Sequence, residues 1–248
     1  MSGHSKWAQI KRQKGVADAK RGQLFTKLGR EIAVAARDGA DPAGNARLRL
    51  AIQRARDANM PMDTIERAIK RAAGAGDAAN FQEASYEGYG PNGVAVLVEA
   101  LTDNRNRAAA EIRSVFHRGG GNLGESGSVR WLFDEKGVIT AETDGKDADE
   151  LALAAIDAGA DDVQTYDDLI EIYTEPSRLE EVRTALDGAG IGVTSSEVTM
   201  IPKVTVQLDD QAAQQTLRLL ERLEELDDVQ RVYSNSDVSE AVAASLAG

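Results

Sequence analysis

GVITAETDGKDADELALAAIDAGADDVQTYDDLIEIYT, residues 137–174, decides the fold. GVITAE (137–142) has the β-branched, half-alternating character of a strand. Residues 147–158 then place apolar side chains at helical spacing, and DVQTYD (162–167) returns to strand character. Only Asp168 separates that stretch from LIEIYT (169–174), which is followed by a helix near 178–188 and by VTSSEVTM (193–200). Two strand–helix–strand units therefore lie back to back. The same pattern recurs on either side: GVAVLVEAL (93–101), a helix near 106–117 and SVRWLF (128–133) before them, and KVTVQL (203–208), a helix near 211–226 and VQRVYS (229–234) after them. Each βαβ crossover places its helix on one face with right-handed sense. Two interleaved units give a four-stranded sheet with both helices on one side, the ferredoxin-like arrangement. The short join at Asp168 pairs the two middle units as one domain, with Gly137 and Pro202 at its seams. Head-to-tail pairing of the four units is the alternative.

Upstream the period is helical throughout. Leu24, Leu28, Ile32 and Ala35 share a stripe that stops at Asp38-Gly39. A second helix, from about Asn45 to Asn59, buries Leu48, Ala51, Ile52 and Ala55, and Pro61 breaks it. Asp63 and Glu66 have capping-box spacing at the start of a third, whose stripe is Ile65, Ala68, Ile69 and Ala72. The expected class is α+β, with an N-terminal three-helix bundle followed by two ferredoxin-like α/β domains, one inserted in the other. The expected boundaries are 1–77 for the helical domain, 78–135 with 202–240 for the discontinuous domain, 136–201 for the insert and 241–248 for a tail.

Charge separates along this chain. The net charge is −12, yet residues 1–73 hold 16 Lys+Arg against 7 Asp+Glu, while residues 138–248 hold 7 against 25. Such segregation presents a basic end to a polyanion and keeps an acidic body away from it. Cysteine is absent, which removes disulfides, thiolate metal sites and thiol nucleophiles. No apolar run approaches the roughly 20 residues of a membrane span, and no signal-type apolar stretch follows the basic N-terminus. A cytoplasmic protein without membrane contact is the expectation.

The candidate nucleic-acid contacts follow the cations. The arm GHSKWAQIKRQK (3–14) lacks an apolar stripe and offers His4, Lys6, Trp7, Lys11, Arg12 and Lys14. Its cations neutralise phosphate and its indole can stack on an unpaired base. Lys20, Arg21 and Lys27 extend the set into the first helix. On the second, Arg47 with Arg54 and Arg49 with Arg56 form two rows, and arginine's planar fork suits phosphate. A second candidate patch joins Arg105 and Arg107 of TDNRNR (102–107), where Asp103 or Asn104 can cap a helix, to Asn122 in GGGNLG (119–124). That glycine run has dinucleotide-fingerprint letters but the wrong context, since a helix precedes it and a strand follows. It reads as a flexible turn with amides open to an anion. YEGYGPNG (86–93) reads as a turn-rich loop whose tyrosines pack at the core's rim. No catalytic constellation, metal-ligand spacing, cofactor motif or small-molecule site emerges. His4 and His117 stand far apart in sequence, and the Asp-Asp pairs at 161–162, 167–168, 209–210 and 227–228 read as solvated element ends.

GHSKWAQIK, DAKRGQLFTKLGREI, NARLRLAI, ANMP, YEGYGPNGVAVLVE, LTDNRNR and GGNLGESGSVRWLF, in that order, resemble the YebC/PmpR family across nearly the whole chain. The resemblance implies a three-domain, non-enzymatic cytoplasmic protein with a helical N-terminal domain and two nested ferredoxin-like domains. It implies one of two roles: a DNA-binding transcriptional regulator, or a translation factor on the ribosome that relieves stalling at proline-rich stretches. The residues themselves lean toward ribosomal RNA. No Asn/Gln–Arg set for reading base edges and no dimer seam is visible, while a tryptophan-bearing basic arm suits irregular RNA. The acidic half would then face basic ribosomal proteins, and double-stranded DNA remains the alternative partner.

Overall fold

A computed structural model describes residues 18–73, 81–143, 145–166 and 169–238. They form two compact units. One takes the described residues of 1–40, 66–134 and 201–248, and the other those of 41–65 and 135–200. Three helices open the chain: α1 (Asp18–Ala35), α2 (Ala46–Asp57) and α3 (Met62–Ala73). Their ends obey local chemistry. A short 3-10 turn and Gly39, at φ +143°, stop α1, and the Asn45 side chain caps α2 by accepting from the Leu48 amide. α1 belongs to the first unit and α2 to the second.

The first unit is built on β1 (Gln82–Tyr89), β2 (Ala95–Thr102), α4 (Arg105–Arg118), β3 (Asn122–Leu123), β8 (Val206–Leu208), α7 (Asp210–Glu224), β9 (Val229–Ser234) and β10 (Ser236–Val238). Its sheet runs β3-β1-β2-β9, with antiparallel pairing throughout, and β8 and β10 form a separate parallel pair. Val96 and Val98 of β2 pack with Ile112, Val115 and Phe116 of α4 and Leu217 and Leu220 of α7. Leu97 and Leu101, at the alternate positions, are buried as well. A strand covered on both faces reads as a continuous apolar run, which is why AVLVEAL was legible. On β9, Arg231 pairs with Glu31 of α1 at 3.3 Å.

The second unit holds β4 (Phe133–Glu142) from residue 135, α5 (Ala148–Asp157), β5 (Asp162–Thr165), β6 (Leu169–Thr174), α6 (Leu179–Gly188) and β7 (Val193–Pro202) up to residue 200. Its sheet order is β5-β6-β4-β7, so each strand–helix–strand crossover steps over one strand. Ile139, Ile170 and Ile172 of the sheet meet Leu151 and Ala155 of α5 and Val182 and Leu186 of α6 in one core. Leu50 of α2 packs against the same cluster.

Two stretches differ in kind from the sequence-based expectation, and KVTVQL is strand only over Val206–Leu208. YEGYGPNG is not wholly a loop: residues 86–89 complete β1, and only 90–93 turn. Gly88 sits in that strand because a Cβ there would lie 2.6 Å from the Asn122 carbonyl oxygen and 2.8 Å from the Phe116 ring. The glycine marks a close approach rather than a turn. SVRWLF is not a strand. Arg130–Leu132 form a 3-10 turn, and the strand begins only at Phe133. Its amides are engaged elsewhere, as described next.

Candidate nucleic-acid interface

His4, Lys6, Trp7, Lys11, Arg12 and Lys14 lie outside the described residues, and Lys20 lies on the first turn of α1. Arg21 of α1 is exposed. Lys27 turns inward: its ammonium donates to the Glu224 carbonyl at the end of α7. Two neighbours on α1 do the same. Gln23 donates to the Glu225 carbonyl at 2.6 Å, and Arg30 to the Asp227 carbonyl at 2.6 Å. The last carbonyls of a helix lack intrahelical donors and carry partial negative charge, so a cation is favoured there. Lys27 and Gln23 of α1 thus hold the C-terminal end of α7, and Arg30 holds the turn that follows it.

On α2 the two arginine rows flank the buried stripe Leu48, Ala51, Ile52 and Ala55, and their members differ in what they touch. Arg49 donates to the carbonyls of Pro42 at 2.6 Å and Ala43 at 3.1 Å, fastening the turn before its own helix. Arg54 pairs with Glu197 of β7 at 3.4 Å. Arg47 and Arg56 are exposed. In the same unit Asp57 accepts from Gln53 at 2.7 Å, and burial outweighs its favourable partners to raise its pKa.

The second patch is pinned by acids. Asn104 caps α4 by accepting from the Arg107 amide at 3.1 Å. Arg105 donates to the Glu83 carbonyl, and its own carbonyl accepts from the Tyr86 hydroxyl. The Arg107 guanidinium binds Asp103 and Asp228, each at 2.8 Å. The bonds it donates to Asp228 and then to Asp103 raise its pKa above the ordinary arginine value. Asp228 also accepts from the Thr102 hydroxyl at 2.8 Å and stands 3.6 Å from Arg30. It is only 5% exposed, so the reading of the 227–228 pair as a solvated end is corrected for Asp228, while Asp227 is exposed. No local signal separated this doublet from Asp161-Asp162, which is exposed.

Asn122 is exposed on β3, but the glycine loop around it offers no open anion nest. The amides of Gly119, Gly120 and Gly121 bond back to α4 carbonyls, and that of Gly124 bonds to the Glu87 carbonyl. Further along, the Glu87 carboxylate accepts from the amides of Gly127, Val129 and Arg130, each at 2.7 Å. A buried acid of β1 therefore occupies the nest itself. Burial alone raises a carboxyl pKa, but these three N–H donors overcome it and hold Glu87 below the ordinary range. The Tyr89 hydroxyl adds a bond to the Ser128 carbonyl. Trp131 follows on the 3-10 turn with its ring in solvent. Nothing local signals that exposure, because SVRWLF has the letters of a buried strand.

Among the described residues, no group of three or more His, Asp or Glu is placed to hold a metal ion, and no helix is long and apolar enough to cross a membrane.

Residues 5–75 match the model of the TACO1/YebC protein N-terminal domain, and residues 81–236 match that of the TACO1/YebC second and third domain. A probable transcriptional regulatory protein of Dehalococcoides mccartyi is 57% identical over 96% of this chain and 95% of its own length. One from Moorella thermoacetica is 55% identical over 98% of both. The crystal structure of a conserved hypothetical protein from Aquifex aeolicus superposes with a TM-score of 0.81 at 49% identity, covering 90% of this chain and 93% of that one.

Proposed function

The chain belongs to the TACO1/YebC family, and from that premise we propose that it is a non-enzymatic, nucleic-acid-binding regulator of gene expression in the cytoplasm. It acts on ribosomal RNA as a translation factor that relieves stalling at proline-rich stretches. The observation that carries this reading is the segregation of charge, 16 basic against 7 acidic residues over 1–73 in a chain of net −12. Lys27, Arg30 and Arg54 are partly buried, so the contact falls to the arm and to the exposed Arg21, Arg47, Arg49 and Arg56. A tryptophan-bearing basic arm suits the accessible bases of irregular RNA better than the grooves of a duplex. The acidic insert, on the same reading, faces basic ribosomal proteins. The two sheets are read as ferredoxin-like layers, one inserted in the other, on the strength of the stepped strand order of the second unit.

A second reading, a DNA-binding transcriptional regulator, is favoured by the names of the relatives. Phosphate-directed arginines serve either polymer. Crosslinking in cells followed by sequencing of the recovered nucleic acid separates them: ribosomal RNA is the expected product, and promoter DNA without ribosomal RNA defeats the translation role. Neutralising Lys6, Lys11, Arg12 and Lys14 together is expected to weaken binding. It should also flatten the salt dependence by nearly one unit of log–log slope for each phosphate deprived of its cation. An unchanged slope removes the arm from the interface.

A further inference from the structure

Trp131 combines two properties that rarely coincide. Its side chain is 64% exposed, yet the backbone beneath it is tightly held. Glu87 accepts from the amides of Val129 and Arg130 at 2.7 Å, and the Arg130 guanidinium donates to the Phe133 carbonyl at 2.9 Å. The Ser128 carbonyl accepts both the Tyr89 hydroxyl at 3.0 Å and the Trp131 indole N–H at 3.1 Å. The Lys203 amide donates to the Leu132 carbonyl at 2.8 Å, bringing alongside the bend that carries Val204, itself 63% exposed. A large ring left in water forgoes the benefit of burial, and a solvated side chain needs no such anchoring.

We infer that Trp131 is a stacking platform for an unpaired nucleobase. The inference rests on the nucleic-acid-binding reading above and adds a contact outside the basic end. The indole's one polar atom is already bonded to Ser128, so what it presents outward is ring face rather than a donor. Ring faces recognise flat partners, and base stacking on an aromatic tolerates any sequence because every base has a π-face. The charges nearby are of both signs: Glu125, Arg130, Asp134, Glu135 and Lys136 in sequence, with Lys203 paired to Asp134 at 3.0 Å. Phosphate attraction is therefore not what this surface supplies, and its contribution should be insensitive to salt. Holding the ring in place beforehand lowers the ordering cost of binding.

The test uses the full chain, a labelled single-stranded oligo(A) RNA and a blunt RNA duplex of equal length. Trp131→Ala is expected to weaken single-strand binding roughly 5- to 100-fold without changing the salt slope, while Trp131→Phe keeps most of the affinity. Duplex affinity should not change, since its bases are already stacked. In 5-fluorotryptophan-labelled protein, the fluorine resonance assigned to Trp131 by its absence in the Trp131→Phe variant should shift on adding the single strand. Binding by Trp131→Ala within about twofold of the parent, with that resonance unmoved, overturns the inference and leaves the basic-end reading standing. So does a change of oligomeric state without a change in RNA affinity, which would mark a protein–protein contact. Failure of the parent protein to bind either RNA overturns both.

Discussion

Glu87→Gln isolates the contact that shapes the loop beneath Trp131. One carboxylate oxygen accepts from Val129 and Arg130 and the other from Gly127, all at 2.7 Å. A glutamine is nearly isosteric but carries one oxygen and one NH2 group. Facing its oxygen to Val129 and Arg130 preserves two bonds in neutral form and confronts the Gly127 amide with another donor. A hydrogen bond to a charged group contributes about 1.5–3 kcal/mol and a neutral one about 1, while an unsatisfied buried donor costs about 1–3. The low ends of these ranges together put the net loss at no less than about 3 kcal/mol. For a protein of this size that is a melting temperature lower by about 5–15 °C. The pH dependence fixes the mechanism. Glu87 has a folded pKa below its unfolded value, so its contribution is full above about pH 5, beyond the unfolded pKa, and is lost as pH falls through the folded one. The gap between parent and variant should be widest at neutral pH and close in acid. Melting curves from pH 7 down to about 3, with amide hydrogen exchange at Gly127, Val129 and Arg130, provide the assay. Equal melting at pH 7, or a gap that widens as pH falls, would refute the reasoning.

Asp228→Ala removes the acceptor shared by Thr102 and Arg107 and is expected to destabilise the chain by about 3 kcal/mol, read from urea unfolding; Arg56→Ala, on an exposed side chain, should stay within about 0.5 kcal/mol. Similar losses in the two variants would show that the Asp228 cluster is not structural. Gly121→Ala places a Cβ 2.4 Å from the Tyr89 carbonyl oxygen, and the forced shift should cost about 1–3 kcal/mol. Melting at the parent temperature would mean that β3 can move away from β1 freely.

What could be read from the sequence was whatever depends on near neighbours. The run AVLVEAL, the alternation of GVITAE and LIEIYT, and the stripe Leu48, Ala51, Ile52 and Ala55 all mark surfaces that local geometry sends inward. The misreadings share a different cause. Glu87 lies about forty positions from the amides it captures, and that capture takes the amides of Val129 and Arg130 out of any strand pairing. Gly88 is required by a phenylalanine on α4 and a carbonyl on β3, neither of which its own segment reveals. The candidate contact set was limited in the same way. Composition counts Lys27, Arg54 and Arg107 as cations for a ligand, but only the fold shows which carbonyl or carboxylate each one meets.

Those partners change what the charge asymmetry means. The basic helix α1 does not merely avoid the acidic remainder of the chain. Gln23, Lys27 and Arg30 place three donors on the carbonyls of residues 224–227, and Arg30 also faces the buried Asp228. Part of the segregation is therefore cohesive, since basic side chains near the N-terminus neutralise a helix end and an aspartate near the C-terminus. A polyanion competing for Lys27 or Arg30 would have to reach partly buried side chains and break those contacts first, whereas Arg21, Arg47 and Arg56 already face solvent. Substituting the first pair should lower stability before it lowers affinity, and substituting the second group should do the reverse. Net charge treats the two sets alike, but burial and long-range bonding separate the cations that hold the fold from those that solvent, and hence a ligand, can reach.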